Sequence, residues 1–128
     1  MVNIENLEVT QTSNNDGTTI FKVFDNEKEI AHCCVSRDKE KESFYLSSVA
    51  VSPSYQNQGV GTIMLKSVLT RYLSVIEKYS SNHTLCLQVL SHNVPAIKLY
   101  AKMGFKITSK IEDVIGRKIY TMTYKKVA

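Results

Sequence analysis

The sequence predicts an α/β domain with the element order β-β-β-β-α-β-α-β-β and a mixed sheet. Three observations carry that prediction. The first third is a series of β-rich runs separated by polar turn signals. From Val60 the apolar residues switch to helical spacing. After that helix, strand-like runs enclose a second, shorter helical segment.

Taken in order, residues 7–12 alternate weakly, and Asn14-Asn15-Asp16-Gly17 is a strong turn signal. Residues 18–25 are rich in Thr, Ile, Phe and Val, and Asp25-Asn26-Glu27-Lys28 turns the chain again. Residues 29–36 give a third strand and 44–51 a fourth, joined by the charged run Arg37-Asp38-Lys39-Glu40-Lys41-Glu42, expected as an exposed hairpin connection. These spacings describe an antiparallel meander. A helix is expected over 58–79. Its apolar rows are Met64, Val68, Tyr72, Ile76 and Leu65, Leu69, Leu73, and Ser80-Ser81-Asn82-His83 ends it. Residues 85–90 form a strand with Leu85, Leu87 and Val89 on one face. Asn93 is then a good N-cap, Pro95 fits the first turn, and Gly104 suits a helix end, so the second helix spans 94–103. Strands over 105–111 and 118–125 finish the chain, linked by Glu112-Asp113-Val114-Ile115-Gly116-Arg117.

The 128 residues suit one domain, 1–128, with one core. No apolar run approaches the ~20 residues that span a bilayer, and MVNIENLEV shows no signal-peptide pattern. Three cysteines, Cys33, Cys34 and Cys86, lack metal-ligand spacing, and adjacent Cys33 and Cys34 point to opposite strand faces. They read as small apolar residues of a reducing, cytoplasmic protein, with no metal site expected. Charge is divided. Residues 1–45 hold nine Asp/Glu and five Lys/Arg, net −4, whereas residues 46–128 hold three and eleven, net +8. Positive charge in the second part attracts an anionic ligand. No Lys/Arg block or aromatic platform points to nucleic acid.

The segment VAVSPSYQNQGVGTIML, residues 49–65, runs from a strand through a polar turn and Gly59-Val60-Gly61 into a helix. That arrangement presents free backbone N–H groups at the positive end of a helix, an anion site, and glycine permits close approach. A P-loop needs Gly-Lys-Ser/Thr, but Gly61-Thr62-Ile63 follows; a dinucleotide fingerprint needs a third small residue where Met64 stands.

The run Val51-Ser52-Pro53-Ser54-Tyr55-Gln56-Asn57-Gln58-Gly59-Val60-Gly61 resembles the acetyl-coenzyme A motif of the GNAT acetyltransferase superfamily, V-x-P-x-x-Q/R-x-x-G-x-G/A. Downstream, Leu87-Gln88-Val89 through Asn93, Ala96-Ile97, Leu99-Tyr100, Lys102 and Gly104-Phe105 is similar to the next motif of that family, a strand followed by N-x-x-A-I-x-L-Y-x-K-x-G-F. The resemblance is strong over 44–105. It implies a GNAT-like fold with a mostly antiparallel sheet, a splayed pair of parallel strands (44–51 and 85–90) and two main helices. It also implies an acetyl-CoA-dependent N-acetyltransferase acting on a primary amine of a small molecule, protein or peptide. The pantetheine arm is expected along Val49, Ala50 and Val51. The pyrophosphate is expected in the turn of Gln56, Asn57, Gln58, Gly59, Val60, Gly61 and Thr62. Asn93 is expected both to cap its helix and to contact the cofactor, and Lys102 to approach a phosphate.

By the same resemblance Tyr100 is the general acid. Relatives place a glutamate on the fourth strand, where Tyr45 stands here, or Glu or His on the fifth, where Gln88 stands. Tyrosine has a reference pKa of ~10 and glutamine does not titrate, so the expectation is a water chain ordered by Tyr45 and Gln88. His32 and His92 are outside candidates. Relatives also insert helices between the first two strands; only the Asn14–Gly17 turn stands there, so the acceptor pocket is expected to be open, or completed by a second subunit in a homodimer. The two carboxylates of the 112–117 loop are expected either to attract a cationic amine or simply to be exposed. The alternative function is a non-catalytic acyl-CoA-binding module.

Overall fold

The computed structural model describes residues 3–38, 43–79 and 84–124. The strands are β1 (Leu7–Ser13), β2 (Thr19–Asp25), β3 (Lys28–Asp38), β4 (Ser43–Val51), β5 (Thr84–Leu90), β6 (Lys106–Glu112) and β7 (Lys118–Tyr124). The helices are α1 (Val60–Tyr79) and α2 (Val94–Lys102), with short 3-10 turns at Ile4–Asn6 and Pro53–Tyr55. All seven strands form one sheet in the order β1-β2-β3-β4-β5-β7-β6. Every neighbouring pair is antiparallel except β4 and β5, which are parallel. The expected order of elements and the mixed sheet are both present.

Register sorts the side chains onto two faces. One rung runs Thr19, Val35, Leu46, Leu87, Met122, Ile107 from β2 to β6. Both helices pack on this face. Val60, Met64, Leu65, Val68 and Tyr72 of α1, the predicted apolar rows, are buried against Phe21, Val23, Val35 and Phe44. The Tyr72 ring lies 4.8 Å from that of Phe44 and 6.3 Å from that of Phe21. Each such side chain is worth roughly 1.5–3 kcal/mol of burial, so this face holds the core. Arg71 adds polar contacts at its margin, donating to Gln11 Oε1 at 3.1 Å and Ser13 Oγ at 3.2 Å.

The next rung, Ser36, Tyr45, Cys86, Thr123, Lys106, faces the other way. No helix of the described residues lies on this second face. An antiparallel sheet tolerates that when its outward side chains are mixed and polar. Among the adjacent cysteines, Cys33 is buried on the helix side and Cys34 half-buried on the other, as strand alternation requires.

Several boundaries move. α1 starts at Val60 rather than residue 58, because Gly59 has φ 86° and does not take helical dihedrals. β3 continues to Asp38, into the stretch expected as a loop. Phe105 precedes β6 as a buried residue, its backbone N–H bonded to the Tyr100 carbonyl. Residues 39–42 of the expected hairpin connection, 80–83 of the expected helix end and Lys125 lie outside the described residues.

Candidate active site

The parallel seam is short. β4 and β5 pair at only four rungs, ending at Leu46–Leu87, although β4 continues to Val51 and β5 to Leu90. The cause lies on the other side of β4. His32 pairs with Ala50 and Cys34 with Ser47, so Cys33 alone opposes both Ser48 and Val49. This is a β-bulge, which bends the bulged strand away from its neighbour. Ser48 takes φ 55° there, an uncommon conformation for a residue with a Cβ. The facing edges of β4 and β5 beyond the last rung therefore lack ladder partners in each other, the groups that a ligand amide can satisfy.

A cavity of about 290 Å³ opens at this gap, lined by residues 46–49 and 87–90 with Asn93 and Tyr100. Val49, Gln88, Asn93 and Tyr100 thus meet in one place, as expected. Tyr100 reaches it from α2 while its ring packs 6.0 Å from that of Phe105, and the residue is only 7% exposed. Burial, with a further contribution from the Cys33 thiol, pushes the phenol up to about 12. Asn93 caps α2, its Oδ1 accepting from the Ala96 N–H at 3.4 Å. The cap and the cavity wall are the same residue.

On the second face, the Tyr45 hydroxyl donates to Gln88 Oε1 at 3.5 Å. The two residues expected to order water are brought within hydrogen-bond range. Burial, and then the neighbouring Cys86 thiol, raise the Tyr45 phenol above its ordinary value. It is a donor near neutrality and not a base. His32 and His92 do not line the cavity.

The turn before α1 is built by its own side chains. Gln56 Nε2 donates to the Val51 carbonyl at 3.0 Å, and Gln58 Nε2 to the Ser54 carbonyl at 2.9 Å. Tyr55 ties the turn to the β2–β3 connection, donating to Asp25 Oδ2 at 2.9 Å. Asn57, φ 62°, and Gly59, φ 86°, curl the chain into the helix. The first helical bond runs from the Ile63 N–H to the Gly59 carbonyl at 3.1 Å. The N–H groups of Val60, Gly61 and Thr62 precede it and remain free of intrahelical acceptors. The glycines also serve the fold. A Cβ on Gly61 would stand 3.1 Å from Leu99 Cδ2, so the close approach it permits is that of α2. Gly59 is required by its dihedral. What the turn presents at the start of α1 is backbone donors and the positive end of the helix dipole.

A second cavity, about 390 Å³, lies between this turn and α2, lined by Asn57, Val94, Pro95, Lys98, Leu99 and Lys102. Lys98 went unnoticed in the sequence. Its i, i+4 spacing from Lys102 on a helix was the available signal. Ala50 and Val51 line neither cavity. Ala50 faces the second side opposite His32, and the Val51 side chain packs toward Gly61. Ser47 and Ser48, missed earlier, line the gap itself. Their signal was a slip in phase: the inward apolar positions run 44, 46, then 49, 51.

The loop between β6 and β7 is also fixed. Asp113 Oδ1 accepts from the N–H groups of Ile115 at 3.0 Å and Arg117 at 2.8 Å, and its Oδ2 from Arg117 Nε at 2.6 Å. Burial pushes the Asp113 carboxyl up, but the Arg117 backbone and guanidinium and the Ile115 N–H together hold it below its ordinary value. Of the two loop carboxylates, Asp113 is therefore spent on the loop and is not free for a cationic amine.

The family model of the GNAT acetyltransferases matches residues 3–105. The chain belongs to the GNAT acetyltransferase family. It is an N-acetyltransferase that uses acetyl-CoA as donor. A search of curated proteins returned no match. Among solved structures, a GNAT family acetyltransferase from Elizabethkingia anophelis with acetyl-CoA bound is similar at a TM-score of 0.79 and 15% identity, covering 95% of this chain and 99% of that one. The ribosomal-protein-S18-alanine N-acetyltransferase from Escherichia coli is similar at a TM-score of 0.72 and 22% identity, over 90% and 74%. A spermidine N-acetyltransferase chimera from Vibrio cholerae is similar at a TM-score of 0.74 and 16% identity, over 87% and 68%. At these identities the likeness is one of fold.

Proposed function

We propose that the β4–β5 gap is the acetyl-transfer site and that Tyr100 is its hydrogen-bond donor, with the acceptor a primary amine arriving from the helix-free face of the sheet. One observation carries this reading. The seam ends, the β4 bulge and the Tyr100 phenol coincide at a single cavity. The residues present fit acetyl-CoA. Unpaired strand edges suit an amide-containing arm, and the N–H groups of Val60, Gly61 and Thr62 suit a pyrophosphate. Lys98 and Lys102 suit further phosphate charge.

Acetyl-CoA, when bound, supplies the thioester whose carbonyl carbon a neutral amine attacks. Tyr100 keeps its proton through the neutral range and offers it to the sulfur as negative charge develops there. Complete transfer from a phenol at about 12 to a thiolate of reference pKa ~8.5 is uphill by roughly 5 kcal/mol. Tyr100 therefore acts chiefly as a donor of a charge-assisted hydrogen bond. Among the described residues lining the cavity, none is an acid or base that titrates near neutrality. The amine proton leaves through water held by Tyr45 and Gln88, which act as positioning residues.

The acceptors named for similar folds include a ribosomal protein and spermidine, so both protein and small-molecule amines belong in the test. Cys33, Cys34 and Cys86 are thiols outside any disulfide among the described residues, which supports a reducing, cytoplasmic setting. Calorimetry with acetyl-CoA, followed by thiol release across polyamines, amino acids and peptides, tests the assignment. Tight binding without release to any amine would leave a non-catalytic acyl-CoA module. Absence of binding would remove the site altogether.

A further inference from the structure

We infer that the acceptor carries an apolar arm, which lies along a ladder of Leu90, Ile119 and Ile111; this rests on the acetyl-transfer reading of the gap. Leu90 lines the cavity. It pairs in register with Ile119 of β7, which pairs with Ile111 of β6. Paired residues share a face, so three branched side chains form one row across three strands, about 10 Å at the ordinary strand spacing. The row is on the helix-free face, the face of Gln88 and Tyr45, because Gln88 and Leu90 are two residues apart on one strand. It lies roughly 7 Å along β5 from Gln88, two residues of strand rise.

The row opens toward its β6 end, Leu90 and Ile119 being half-buried and Ile111 exposed. Ile111 is 46% exposed, and the loop beyond it adds Val114 at 103% and Ile115 at 72%. These are not side chains of a loose segment, since Asp113 fastens the loop through three hydrogen bonds. Apolar groups held outward beside a catalytic gap, and continuous with its wall, fit an apolar occupant.

Charge argues the same way. On this face β5, β7 and β6 present Thr84, Cys86, Gln88, Leu90, Ile119, Thr121, Thr123, Lys106, Ser109 and Ile111, with no carboxylate. Asp113 is bound to Arg117. Glu112 alternates with Ile111 and points to the other face. Asp38 pairs with Ser43, at the end of β4 away from the gap. A polyamine would bring cationic arms to three strands without described anions; elsewhere on this face Glu8 and Glu29 lie at the Phe24 rung of the meander, Glu29 paired with Lys22 at 3.3 Å. An arylalkyl or alkyl amine, or an amine flanked by a large apolar side chain, meets its match.

The experiment compares 2-phenylethylamine, ethylamine and spermidine as acceptors for the wild-type chain and for Ile111→Lys and Ile119→Thr, reading kcat/KM by thiol release. Phenylethylamine is expected to exceed spermidine. Its advantage over ethylamine is expected to fall about tenfold in either variant, the size of effect of withdrawing part of one isoleucine from contact, while the KM for acetyl-CoA holds. Spermidine as the better acceptor, or equal losses for all three amines, overturns the inference and leaves the acetyltransferase intact. A dimer in sedimentation equilibrium that Ile111→Lys dissociates also overturns it, by assigning the row to a second copy. Acetyl-CoA binding with no release to any of the three amines or to the wider panel brings down the underlying reading, and this inference with it.

Discussion

Replacing Tyr100 by phenylalanine separates the chemistry of the site from its architecture. The ring sits 6.0 Å from that of Phe105 at 63° and belongs to the buried core, and phenylalanine preserves both relationships. The hydroxyl has no hydrogen-bond partner among the described residues, so its removal strands no buried group. Stability is therefore expected to change by less than about 1 kcal/mol, a few degrees in Tm. Turnover is a different matter. Loss of one preorganised donor to developing charge costs about 10²–10³ in rate, or roughly 2.7–4 kcal/mol. The assay is kcat by thiol release at saturating acetyl-CoA, with Tm and acetyl-CoA affinity measured on the same preparation. A variant that folds, binds the donor and turns over within threefold of wild type would refute the role given to Tyr100.

Three further outcomes are expected. Gly104→Ala places a Cβ 2.8 Å from Tyr124 Cε2 at φ 107°, so left-handed strain and ring displacement together cost roughly 2–4 kcal/mol, read as a Tm lowered by about 10 °C. Lys98→Ala combined with Lys102→Ala raises the KM for acetyl-CoA several-fold, with a weaker dependence on salt than wild type, because the removed attraction is ionic. Stability falls at alkaline pH. Burial, and then Cys34, push the Cys33 thiol from 9.0 up to about 12, and burial, and then Cys33, push Tyr100 from 10.0 up to about 12. Both folded values are raised, so the folded chain retains protons that the unfolded chain gives up. The contribution is complete below pH 9 and is lost as pH rises toward 12, and Cys33→Ala is expected to flatten the decline of Tm over that window.

The sequence carried the order of elements because each rests on local chemistry. Asn93, Pro95 and Gly104 mark the limits of α2, and the rows from Val60 to Tyr72 mark the buried side of α1. The placement of β7 between β5 and β6 is not a local property, and no single segment announces it. The site was legible in part for the same reason. Asn93, Tyr100 and the backbone turn sit in contiguous motifs, whereas the gap is created by a mismatch between two strands, two residues of β4 (Ser48 and Val49) against one of β3 (Cys33). Only the slip between Leu46 and Val49 hints at it. Gln56 and Gln58 carry a contribution that their residue type does not announce: their side-chain amides hold the turn in place.

The four-rung seam has a consequence for folding as well as for catalysis. It divides the sheet into a meander of β1 to β4 and a three-stranded block of β5, β7 and β6, joined edge to edge over less than half the length of β4. A donor molecule lying in the gap takes up rungs that the chain leaves vacant, so it behaves as a stitch between two half-sheets. The free energy of donor binding then enters the stability of the whole domain, rising with donor concentration as RT ln(1 + [L]/Kd). Slow amide exchange should spread from the block interiors to the seam as the donor saturates, making the availability of acetyl groups a determinant of how firmly the two halves hold together.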